Sequence, residues 1–139
     1  MPRFEEVEVG QRIPPRAQAL DQARLIHYAG ASGDYNPLHW DAEFAQRISP
    51  TKGIIAHGML NMGILSTTVT DWAGGPENIA HLAVSFRAPC PVGSTVTYGA
   101  EVIALDPQHR TATLSIWAEL EGGERIIDRR KSRAIVRLA

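Results

Sequence analysis

Residues 58–72 read GMLNMGILSTTVTDW, and this stretch decides the architecture. It holds no lysine, arginine or glutamate, and its residues are apolar or small on every side. A helix that is apolar all round belongs in an interior, not on a surface. The small residues Gly63, Ser66 and Thr67 would let another layer approach it closely. AGGPEN follows at once, and glycine and proline end the helical pattern there.

Beyond that break the period changes from helical to two. HLAVSFRAP sets Leu82, Val84 and Phe86 on one face and Ala83, Ser85 and Arg87 on the other. STVTYGAEVIAL alternates through Val96, Tyr98, Ala100 and Val102, and TATLSIWAEL through Ala112, Leu114, Ile116, Ala118 and Leu120. RIIDRRKSRAIVRL reads as one last strand, with Ser132, Ala134, Val136 and Leu138 inward and Lys131, Arg133, Ile135 and Arg137 outward. Period two with one polar face marks an antiparallel sheet. DPQHR and EGGER are hairpin turns between the last three strands. A sheet with one apolar face and a helix too apolar for solvent satisfy each other in a two-layer α+β domain.

The N-terminal third is less regular. Through Pro15 the chain reads as a lead-in broken by proline and glycine, holding at most a short strand. LDQARLIHYAGASG predicts a helix capped by Asp21, with Leu25, Ile26, Tyr28 and Ala29 as its apolar stripe; Gly30 and Gly33 weaken and end it. DAEFAQRI predicts a second, short helix capped by Asp41, and SPTKG is a loop.

The whole chain, 1–139, reads as a single domain, without repeats or linkers. At 44% hydrophobic it can build one core unaided by staples. A net charge of −1 argues against a nucleic-acid surface. The single cysteine, Cys90, excludes an intrachain disulfide and a thiolate metal cluster. No stretch is long and apolar enough to cross a bilayer, and the start is unlike a signal peptide. The expected location is the cytoplasm.

Between the first two helices lies SGDYNPLHWD, residues 32–41. Its Gly, Asp, Asn and Pro are turn formers, and a plain turn is its first reading. Asp34 and His39 nevertheless place an acid–base pair in one loop. A second feature stands at residues 57 and 58, where His57-Gly58 opens the apolar helix. Helix N-termini carry unpartnered N–H groups and positive potential, and Gly58 has no Cβ to keep a ligand oxygen away. Together these supply a base and an oxyanion hole. Ser66 follows about two turns further along the helix.

Each residue also has a purely structural reading. Asp34 and Asn36 can hold a turn, His39 can be a hydrogen-bonded core histidine, and His57 can anchor the backbone. His27, His81 and His109 have no local partner and are given no role. Tyr28 and Trp72 read as packing groups. His39, Asp41 and His57 match no common zinc spacing, so no metal is expected. No G-x-S-x-G elbow occurs, which removes a Ser-His-Asp hydrolase.

YAGASGDYNPLHWD (28–41) resembles the signature of the MaoC-like, or hydratase 2, family of (R)-specific enoyl-CoA hydratases and (3R)-hydroxyacyl-thioester dehydratases. IIAHGML (54–60) and VSFRAPCPVGSTV (84–96) resemble its second and third motifs, in the family's order. The chain looks particularly like the catalytic subunit of the (3R)-hydroxyacyl-ACP dehydratases of mycolic-acid elongation. The resemblance implies a hot-dog fold, a sheet wrapped round a long helix. It implies that Asp34 and His39 are a catalytic dyad holding water and that the Gly58 N–H polarises the thioester carbonyl. Ser66 would lie near the catalytic water, and Asn36 would orient the loop. It implies no cofactor, an acyl-CoA or acyl-ACP substrate, and a homodimer, or a heterodimer with a related subunit. A hot-dog acyl thioesterase and a non-catalytic partner subunit are the competing readings. Arg47, Lys52 and Arg87 are candidates to meet the carrier's phosphate or an acidic ACP surface.

Overall fold

The computed structural model describes all 139 residues. A short 3-10 turn at Phe4–Glu6 leads to strand β1 (Arg16–Ala19), helix α1 (Gln22–Ser32), a 3-10 turn at Pro37–His39, and helix α2 (Ala42–Ile48). Helix α3 (Gly58–Ala73) follows, then β2 (Ile79–Ala83), β3 (Thr95–Asp106), β4 (Thr111–Leu120), β5 (Arg125–Ile127) and β6 (Arg133–Arg137). The six strands form one antiparallel sheet in the order β1-β3-β4-β6-β2, with β5 also on β4. Helix α3 packs across β2, β3, β4 and β6. This is the expected α+β hot-dog arrangement, a sheet curled round one long helix.

The alternation of β3 and β4 sends Val96, Tyr98, Ala100, Val102, Ala112, Leu114, Ile116 and Ala118 into a single core with Leu65 and Val69 of α3. Fully burying an aliphatic side chain of this size contributes about 1.5–3 kcal/mol. Both N-caps hold: Asp21 Oδ1 accepts from Arg24 N at 2.8 Å, and Asp41 Oδ1 from Phe44 N at 3.1 Å. Gly33 ends α1 with φ 75°, and Gly74 ends α3 with φ 82°, left-handed positions that glycine occupies without strain.

Four local expectations need correction. Helix α3 is not buried all round: Leu60, Leu65, Val69 and Ala73 face the sheet, while Met59, Gly63 and Thr67 face outward. Ile26 of the expected α1 stripe is exposed, because the face that meets the core carries Leu25 and Ala29, buried, and Tyr28, half-buried. Phe86 lies beyond β2, touching Ile127 in an isolated bridge, and is 49% exposed. The last strand is two. Both β5 and β6 pair with β4, and residues 128–132 bulge out between them because Asp128 Oδ1 accepts from the N–H of Arg130 and Lys131, forming a turn. Ser132 still points inward and binds Ser85 N through Oγ at 3.0 Å. Strand β1 went unread, since Arg-Ala-Gln-Ala has no apolar alternation and pairs only as an edge on β3.

Candidate active site

The turn formers of residues 32–41 are all in use. Ser32 Oγ accepts from Asp34 N, Asp34 Oδ1 from Asn36 N, and Asn36 Oδ1 from Leu38 N. Trp40 Nε1 donates to Tyr35 O at 2.9 Å and closes the loop. These bonds aim Asp34 and His39 at each other, with Asp34 Oδ2 at 3.8 Å from His39 Nε2. Asp34 is half-exposed and His39 is buried.

His39 Nδ1 lies 2.6 Å from Ile55 O. A carbonyl oxygen has no proton to give, so Nδ1 donates to it and Nε2 is the ring nitrogen turned toward Asp34. His57 is fixed by the same logic. Its Nε2–H donates to the backbone O of Asp34 at 3.1 Å, while its Nδ1 is buried without a partner. Burial holds the His57 pKa below its ordinary value, and the nearby His39 ring pushes the same way. Tyr28 meets the His57 ring edge-on at 4.7 Å.

His39, Gly58 and Phe86 line one cavity of about 360 Å³, with Ile55, Asn61 and Cys90 among its other walls. Gly58 begins α3, so its N–H has no intrahelical acceptor. A Cβ there would stand 3.2 Å from the Phe86 ring, which shows how closely that ring covers the helix start. His39 and the helix terminus therefore share one space, and Asp34 stands beside it at 3.8 Å from His39. Asn36 is a turn-holding residue by its bonds. Ser66 sits half-buried on α3 and is absent from this cavity's lining. Arg87 reaches the cavity rim, whereas Arg47 and Lys52 are exposed elsewhere.

The sequence reading missed a polar pair at the inner wall. Tyr98 Oη donates to Asn61 Oδ1 at 2.6 Å, and both side chains are buried. Burial also pushes the Tyr98 and Cys90 pKa values up, so both stay neutral. The available signal was Asn61 itself, an amide in an otherwise apolar helix start. Asp34, His39 and His57 also bring ligand atoms within 4.8 Å of one another, the set a metal ion would find. Asp41, offered by the sequence pattern, is instead engaged as the α2 cap.

The hot-dog fold carries this loop-plus-helix site, and residues 5–115 match the model of the MaoC-like domain. The chain belongs to that family. It is 32% identical over 120 residues to an (R)-specific enoyl-CoA hydratase of Rhodospirillum rubrum, covering 86% of this chain and 82% of that one. It is 31% identical to a 3-hydroxybutyryl-CoA dehydratase of Methylorubrum extorquens, covering 90% and 78%. The structure of the (R)-hydratase from Aeromonas caviae superposes with a TM-score of 0.86 at 30% identity, covering 97% of this chain and 99% of that one. The ChsH1-ChsH2 complex of Mycobacterium tuberculosis shares the fold at 22% identity, with a TM-score of 0.81 over 96% and 99% of the two chains. This chain is an enzyme of the hydro-lyase class. No helix is long and apolar enough to cross a membrane.

Proposed function

We propose that this chain reversibly hydrates trans-2-enoyl-CoA thioesters to (3R)-3-hydroxyacyl-CoA, with Asp34 and His39 as the acid–base dyad. The observation that carries the reading is the 3.8 Å approach of Asp34 Oδ2 to Nε2 of His39, which lines the same cavity as Gly58. A water between those atoms lies within hydrogen-bonding reach of both. His39 Nε2 takes one of its protons, and the oxygen adds to C3 of the double bond. Charge develops on the thioester oxygen, which the Gly58 N–H stabilises at the positive end of α3. The dyad then returns a proton to C2, so one water is added in all. Dehydration is the reverse. Asn36 supports this site through the loop bond to Leu38, whereas Ser66 lies outside the cavity lining.

The active unit is a homodimer joined at the β2 edge. Strand β2 ends the sheet with β6 on one side only, and the outward face of α3 stays uncovered in one chain. A heterodimer with a related subunit is the alternative, and solution mass separates the two.

The test is the enoyl-thioester absorbance with crotonyl-CoA. Loss of the band without free thiol, giving (3R)-hydroxybutyryl-CoA, is expected. Release of free CoA thiol would establish a thioesterase instead, and an unchanged band with protein of dimer mass would reject the CoA hydratase.

A further inference from the structure

Outside the cavity, the chain gathers its positive charge in one place. Arg87, Arg125, Arg129, Arg130, Lys131 and Arg133 line a groove of about 920 Å³ around the 128–132 bulge. They are six of the fourteen lysines and arginines of a chain whose net charge is −1. The one carboxylate in the lining, Asp128, is occupied by the backbone N–H groups of Arg130 and Lys131.

Two of the six cations are neutralised: Arg125 by Glu119 and Arg129 by Glu101. Arg133 donates to the backbone O of Arg129 and Ser132, bracing the bulge. Arg87, Arg130 and Lys131 form no ion pair. Asp128 offsets part of the charge of Arg87 and Lys131, and the cluster as a whole stays positive, a repulsion that an anion in the groove would relieve. Ile103 is the only apolar residue in the lining, and Trp117 beneath is covered by Arg129 at 4.4 Å. Such a surface recognises phosphate, not an acyl chain.

The groove adjoins the reaction cavity. Arg87 lines both, and Ile126 and Ile127 of the cavity wall run directly into Asp128 and the bulge. We infer that this groove, through Arg87, Arg130 and Lys131, seats the phosphates of the substrate's carrier, the 3′-phospho-ADP end of coenzyme A. The inference rests on reading the neighbouring cavity as an acyl-thioester site. The volume is that of a small-molecule site, which favours a nucleotide over the broad contact of a protein partner.

The test uses the full chain and the double variant Arg130→Ser/Lys131→Ser, which keeps the backbone bonds to Asp128. Adenosine 3′,5′-bisphosphate is titrated calorimetrically, and hydration of crotonyl-CoA is compared with that of crotonyl-pantetheine, which has no phosphate. Expected are bisphosphate binding weakened about 10-fold and a KM for crotonyl-CoA raised by about the same factor at low salt, with kcat retained. The loss should be confined to the CoA thioester and shrink as salt rises. Equal loss with both thioesters, or none with either, would overturn the assignment. Bisphosphate binding that ignores the substitution would overturn it too, even if neither thioester reacts and the hydratase reading itself fails. A loss seen only with an acidic carrier-protein thioester would move the groove to a protein partner.

Discussion

His39 and His57 lie face to face, ring centroids 3.8 Å apart and planes 22° from parallel. They come from different elements, one from the loop after α1 and one from the residue before α3. Each ring is tied by one nitrogen to a backbone carbonyl of the other's neighbourhood, His39 to Ile55 and His57 to Asp34. The stack joins the two halves of the site, and it works best with His57 neutral, since a charged His57 would repel any proton taken up by His39.

The neutral state of His57 gives stability a pH dependence. Its pKa lies below the ordinary 6.5 in the fold and returns there on unfolding, so the unfolded chain binds more protons between the two values. This group's contribution is complete above about pH 6.5 and falls as pH drops toward the folded pKa. Urea midpoints measured from pH 8 down to 5 should decline below about 6.5 in the wild type. In a His57→Gln variant, whatever its starting stability, that part of the decline should be missing. A parallel pH profile would show that His57 is not its source.

Asp34→Asn and His39→Ala should each lower kcat by on the order of 10²–10⁴ with crotonyl-CoA, the usual range for losing a positioned acid or base. If both groups act on one water, as proposed, the double variant should lose less than the product of the two. Near-full activity in either single variant, measured on folded protein, would remove that residue from the dyad.

Gly58→Ala separates catalysis from folding. Alanine suits a helix better than glycine, but the new methyl sits 3.2 Å from Phe86 at a helix start that lines the cavity. The expected result is a kcat loss of about 10² with a melting temperature near that of wild type. A large loss of melting temperature at full activity would be the opposite outcome and would make Gly58 a packing residue.

Gly99→Ala tests the outer face of the sheet. Gly99 pairs with Trp117 across β3 and β4, and a Cβ there would fall 2.6 Å from the indole, which Arg129 pins from above. Urea unfolding should show about 1–3 kcal/mol lost to overpacking. An unchanged midpoint would mean that the indole moves aside freely.

The sequence by itself determined the helix that fills the sheet and the strands that wrap it. The apolar run 58–72 has one place to go, and period two in β3 and β4 states which residues face it. It also placed Asp34, His39 and Gly58 as candidates, because local turn and helix-start chemistry is written in adjacent residues. Tertiary structure alone decided what depends on distant pairing. The stacking of His39 on His57 across 18 positions of chain and the Asn61–Tyr98 bond each need the fold to bring separate elements together. So does the bulge at 128–132, which alternation alone reads as continuous strand. Its cause is side-chain to backbone bonding at Asp128, which outcompetes the ladder over five residues and gathers the cations beside the cavity.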